Sequence, residues 1–196
     1  MTTLVALSAA YGAGGRRIGP ALAERLGVPF VDRAIPLDVA GRIDEEAGGD
    51  ERQGSLFERL LGGFIGMDAG APTPAASAED FRRETESELL HKTASEAGVV
   101  LGRAAVVVFR HDPHVLRARL TGPPERRTRQ AALLAGIDED EAERRRRRLD
   151  HAHAEYLQRF YGAEIDDPTL YHITLDTTLL TPELAVDLLE QAYRAL

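Results

Sequence analysis

Residues 3–33 read TLVALSAAYGAGGRRIGPALAERLGVPFVDR. Thr3 to Ser8 is a short continuous apolar run ended by a glycine cluster, the pattern of a strand covered on both faces in a parallel sheet. Gly12-Ala13-Gly14-Gly15 follows. From Arg16 to Leu26 the apolar residues Ile18, Ala21, Leu22 and Leu26 recur at helical spacing, and Gly27 supplies a stop. Val28 to Val31 (VPFV) is a second strand, ending at Asp32-Arg33. Strand, glycine turn, helix and strand form a βαβ unit. Its right-handed crossover predicts an α/β fold, a mostly parallel sheet with helices on both faces.

The turn carries the chemistry. Glycines between a buried strand and a helix start let the backbone bend tightly and point successive amides inward, a concavity that suits a phosphate and is reinforced by the helix dipole. The standard P-loop, G-x-x-x-x-G-K-[ST], is not matched: Ala9 takes the first Gly position, Gly14 the second, Gly15 the Lys and Arg16 the hydroxyl. Arg16 and Arg17 place two cations on the first turn, where the dipole disfavours them by a few tenths to about 1 kcal/mol each. That placement makes sense if an anion is expected there; a tight βα turn with solvated arginines is the alternative. A dinucleotide fingerprint would need a third Gly at position 17 and finds Arg17.

Outward from this unit, 196 residues give one domain's worth of chain, with room for an insert. Hydrophobic residues at 43% and charged residues at 29% exclude a disordered or fibrous chain. A net charge of −8 repels nucleic acid and anionic membrane at long range, so any phosphate site must be local. Cysteine is absent, which removes disulfides, thiolate zinc sites and a Cys nucleophile. The N-terminus has neither a basic start nor an apolar span of membrane length, and the expected address is cytoplasmic.

Residues 42–80, which include GGFIGMDAGAPTPAASAED, lose periodicity and are expected to form a long mobile insert. Helical spacing resumes over 81–97, Val99 to Leu101 is a third strand, and Val106 to Phe109 fits helix or strand. Leu116 to Thr121 (LRARLT) alternates as a fourth strand, Glu125 to Ala135 is helical behind Pro124, Asp138 to Phe160 is a long charged helix, and Tyr171 to Leu175 is a fifth strand. Thr181 caps a last helix. Arg144 to Arg148 form the densest charge run. Asp140 with Arg144, Glu141 with Arg145 and Glu143 with Arg147 are i, i+4 pairs, each contributing only about 0.2–0.5 kcal/mol, so part of the run is a solvated face. Five adjacent arginines nevertheless cover every side of a helix. His151 and His153, two residues apart, point to different faces and do not make a metal site.

SAAYGAGGRRIGPALAERLGVPFVDR resembles the opening of the cytidylate kinase-like family, whose loop runs S-x-x-Y-G-S-G-G-R-x-I and also lacks the lysine. Val99 to Arg103 (VVLGR), the strand from Arg119 followed by P-x-E-x-R up to Arg129, and TLDTTLLTPELAVDLL resemble three further blocks in order. The resemblance implies a P-loop kinase fold of three layers and phosphoryl transfer from ATP, with Mg2+, to a nucleoside monophosphate or nucleoside, CMP-like by preference. Gly12, Ala13, Gly14, Gly15, Arg16 and Arg17 would hold the donor phosphates, with Arg16 also acting in catalysis. Asp32, Arg33 and Arg103 would hold the acceptor, Asp32 also orienting its attack. Arg146 and Arg148 on a lid helix over 138–160 would steady the transferred group, and Ser8 would reach the magnesium through water. The lid pattern R-x-x-x-D-x-x-R is matched by Arg146 and Asp150 but has His153 in place of its last Arg. That departure, with Gly15 in the Lys position, leaves open a nucleotide-binding regulatory module; a kinase of a non-nucleotide metabolite is the other alternative. The partner is expected to be a small-molecule nucleotide.

Overall fold

The computed structural model describes residues 4–33, 97–102 and 104–196, with Arg33 described by its backbone alone. The insert expected at 42–80, nearly all of the helix over 81–97, and Arg103 lie outside the described residues. The described elements are β1 (Leu4–Ala9), α1 (Gly15–Leu26), β2 (Phe30–Arg33), β3 (Gly98–Gly102), α2 (Ala105–Val108), β4 (Val115–Thr121), α3 (Pro124–Ala135), α4 (Glu139–Tyr161), a 3-10 turn (Pro168–Leu170), β5 (Ile173–Asp176) and α5 (Pro182–Ala195).

The strands form one sheet in the order β2-β3-β1-β4-β5, every neighbouring pair parallel. Apolar runs flanked by Gly and Pro produce this, because a parallel strand must be apolar toward both faces. On one face Val5, Leu7, Leu116 and Leu120 pack with Ile18 and Leu22 of α1 and with Ala185, Val186 and Leu189 of α5. On the other, Leu4, Ala6, Val100 and Val115 pack with α2 and with Ala152, Tyr156, Leu157 and Phe160 of α4. Each fully buried Leu stabilises the fold by roughly 1.5–3 kcal/mol relative to exposure. The middle strand β1 therefore ends over the centre of the sheet, where the chain on either side diverges to opposite faces and leaves a crevice.

Three local expectations are corrected. β2 begins at Phe30 and not at Val28, because the Val28 N–H closes α1 on the Ala23 carbonyl and Pro29 has no N–H to give; the Pro29 carbonyl accepts from Val99. β5 begins at Ile173 and not at Tyr171, since the Tyr171 N–H is used by the 3-10 turn, on the Pro168 carbonyl. LRARLT alternates in sequence, yet Val115 through Leu120 are all buried, including Arg117 and Arg119. Arg117 survives there because its Nε donates to the Leu170 carbonyl and its Nη1 to the Phe109 carbonyl. Of Val106 to Phe109, ambiguous in sequence, Val106 to Val108 lie in α2 and Phe109 is its C-cap.

Candidate functional site

The turn after β1 is built by two left-handed glycines, Gly12 at φ +80 and Gly14 at φ +73, a conformation that costs an L side chain roughly 1–2 kcal/mol. At Gly12 there is also no room, because a Cβ would lie 2.2 Å from the Arg127 carbonyl oxygen. The amides of Ala13, Arg17 and Ile18 donate to the carbonyls of Ala10 and Gly14. Those of Gly12, Gly14, Gly15 and Arg16 have no backbone acceptor among the described residues, as expected where a helix starts. Thr177, buried at the end of β5, supports the turn by donating its hydroxyl to the Ala13 carbonyl at 2.7 Å.

The two arginines of the first turn diverge. Arg16 Nε donates to Asp32 Oδ2 at 2.8 Å, which brings together two expected site residues on the β2 side. With Arg16 68% exposed this pair contributes little to stability. Arg17 instead borders an open cleft of about 450 Å³ on the far side, with Gly14, Arg126, Arg129, Gln130 and Thr178 among its walls. Arg126 is fixed there by Asp176 at 2.5 Å and by Thr178. Leu133 and Leu134 give the cleft an apolar edge.

A carboxylate ties the long helix to the turn. Asp150 Oδ1 accepts from the Tyr11 amide at 3.3 Å, and both its oxygens receive the Arg127 guanidinium, at 3.1 and 2.8 Å. Arg127, 8% exposed, also donates to the Tyr11 and Gly122 carbonyls. Arg146 Nη1 reaches Asp150 at 3.5 Å while its Nε donates to Thr128. Arg148, two residues further along the same helix, is partly buried. Of the remaining run, Arg145 pairs with Glu141 and Arg147 with Glu143, four residues apart as expected. Arg144 takes Glu141, three residues back, in place of the Asp140 expected from spacing. The guanidinium hydrogen bonds hold the Glu141 and Glu143 carboxyls below the usual range.

Ser8 and Arg119 are register partners on β1 and β4. Both are buried, and Arg119 donates to the Ser8 hydroxyl and to the Tyr171 hydroxyl, each at 3.3 Å, while its other nitrogen meets Asp166 at 2.8 Å. A guanidinium on that hydroxyl is a poor neighbour for a divalent cation, so the surroundings of Ser8 do not fit the magnesium role expected of it. Beside this cluster, desolvation first and the Arg119 charge second push His153 down to about 4, against the opposite pull of Asp150. His153 is therefore neutral at pH 7. Among the described residues no group of three or more acidic or His side chains could hold a metal, and no helix is long and apolar enough to cross a membrane.

Arg33's side chain and Arg103 lie outside what is described, so the acceptor side is seen only through Asp32. Sequence reasoning passed over Arg127 and Arg119. Arg127 had a signal, the arginine of P-x-E-x-R; Arg119 looked like the polar half of an alternating strand.

A sequence model of the cytidylate kinase-like family matches residues 4–179. No curated protein matches the chain. Among solved structures it is similar to an uncharacterized protein from Eubacterium ventriosum, at 17% identity and TM-score 0.64 with both chains fully covered. It is also similar to the shikimate kinase from Acinetobacter baumannii in complex with shikimate, at 19% identity and TM-score 0.51 over 100% of this chain and 94% of that one. A gluconokinase from Sinorhizobium meliloti follows at 14% identity and TM-score 0.50, over 99% and 94%. At these identities the likeness to solved structures is one of fold.

Proposed function

The chain belongs to the cytidylate kinase-like family, and we propose accordingly that it is a phosphotransferase that moves a phosphoryl group from ATP to a nucleoside monophosphate or nucleoside, CMP-like by preference. The observation that carries this reading is the turn itself. Two left-handed glycines leave the amides of Gly12, Gly14, Gly15 and Arg16 without backbone acceptors among the described residues, and two arginines stand against the same turn on Asp150. Such an arrangement suits the triphosphate of ATP, with the backbone of Gly12 to Arg17 around the phosphates. The adjoining cleft, apolar at Leu133 and Leu134 and cationic at Arg17, Arg126 and Arg129, suits the donor's base and sugar.

Asp32 stands at the carboxyl edge of β2, paired with Arg16, where it is placed to hold or orient an acceptor; Arg33 and Arg103 are its proposed companions. Arg146 and Arg148 on α4 are the proposed charges for the moving group. Magnesium would enter with the nucleotide and supply charge neutralisation. Little covalent chemistry falls to the protein, so positioning and fixed charge would provide the rate.

A second reading has one observation in its favour. His153 stands where the family's lid pattern has an arginine and is held neutral, which removes a charge and fits a nucleotide-binding regulatory module. ATP binding measured beside transfer across a panel of nucleosides, monophosphates, sugars and small alcohols separates the two. Binding together with transfer to a pyrimidine monophosphate or nucleoside is the expected result. Tight binding without transfer to any acceptor would favour the regulatory module, and transfer to a sugar or alcohol alone would overturn the nucleotide acceptor.

A further inference from the structure

The turn departs from the standard P-loop at two positions at once, with Ala9 at the first glycine and Gly15 at the lysine. The structure couples them. A Cβ on Gly15 would lie 2.6 Å from the Ala9 Cβ and 3.2 Å from Leu101 Cδ1. The leucine terminus can give way by a small rotation. Ala9 cannot, because its Cβ moves only with the backbone, and β1 is locked in register with β4 from Leu4 to Ala9.

We propose that Ala9 is a specificity-determining residue of the phosphate turn: its methyl group closes position 15 to any side chain, so the charge meeting the donor phosphates comes from outside the turn, from Arg146, which Asp150 holds there. This rests on the turn being the donor site. The turn's own cations are directed elsewhere, Arg16 toward Asp32 and Arg17 toward the open cleft. Arg127 and Arg146 come from α3 and α4, and both meet the carboxylate that also accepts from the Tyr11 amide. Asp150 is thus a positioning residue, joining two cations to the backbone that would receive the anion. In this chain a lysine at position 15 would need glycine at position 9 for the same steric reason.

The test is a cycle of Ala9→Gly, Gly15→Lys and the double variant, repeated with Gly15→Ala, which carries the same clash in a single carbon. Each is measured for melting temperature and for ATP affinity, with and without Arg146→Gln. Filling position 15 beside Ala9 should lower Tm by roughly 5 °C or more, and adding Ala9→Gly should restore most of the loss. Arg146→Gln should weaken ATP binding about tenfold in the natural chain but by no more than about twofold in Ala9→Gly/Gly15→Lys, where the new lysine meets the phosphates. Gly15→Ala melting with the natural chain, or a double variant melting no higher than its Gly15 single, would overturn the steric coupling. ATP affinity indifferent to Arg146→Gln in the natural chain would overturn the source of the charge. A natural chain that binds no ATP sinks the donor-site reading itself, while the melting cycle, which needs no nucleotide, still judges Ala9.

Discussion

At the scale of single residues, the most informative group is His153. Its folded pKa of about 4 lies below its ordinary 6.5 because it is desolvated and faces Arg119. The folded state therefore binds it neutral, and the unfolded chain takes up the extra proton as pH falls below 6.5. Stability from this group is fully present above pH 6.5 and is lost progressively toward pH 4, by up to about 3 kcal/mol before solvent screening reduces it. Urea denaturation at pH 7 and pH 5 should show a steeper loss in the natural chain than in His153→Gln; equal loss would show that another group governs the window. His172, lowered by desolvation and Arg117, contributes in the same direction to both proteins, so the comparison isolates His153. Single residues were also where the sequence was hardest to read. Gly12 and Gly14 announced a turn because few other residues accept their φ, whereas Arg127 and Arg119 gave no local sign of burial. Their acceptors, the Tyr11 carbonyl and the Ser8 hydroxyl, are separated from them by 116 and 111 residues, and no local pattern reports such a pairing.

At the scale of elements, periodicity located β1, α1, β4, α3, α4 and α5 closely, because each buries a continuous face. Errors fell where hydrogen bonding and not apolar spacing sets the boundary, as at Pro29 and Tyr171. The alternation in β4 misled for a different reason: it encoded two arginines with interior acceptors, not a wet face. The start of α4 was legible, since Asp138 is an N-cap residue whose carboxylate accepts from the Glu141 amide at 2.7 Å. Asp138→Ala should therefore cost about 1 kcal/mol, seen as a fall in Tm of about 2–4 °C; an unchanged Tm would mean that the packing of Ala142, Ala152 and Leu157 alone holds the helix. Because α4 carries Asp150 and Arg146, its attachment to α3 fixes where those charges stand over the turn.

At the scale of the whole molecule, the parallel sheet and the two helical layers followed from the opening βαβ unit and the strands after it, but the sheet order did not, since β3 lies between β1 and β2; the acceptor side was not legible because residues 42–80 carry little pattern. α5 covers the same face of the sheet as α1 and contributes Ala185, Val186 and Leu189 to that core. A chain stopped at Leu180 should leave that layer open, lose near-ultraviolet dichroism and melt without a cooperative transition; cooperative melting would show that α5 is an accessory. The two helices are also joined at the surface, where Arg25 meets Asp187 at 2.9 Å and Glu190 at 3.1 Å, across 162 residues of chain in the first case. During synthesis the glycine turn leaves the ribosome early, and α5, which packs beside α1, emerges last of the described elements. A nascent chain therefore carries α1 and its face of the sheet without α5 through most of translation, an exposed apolar layer of the kind that chaperones shield.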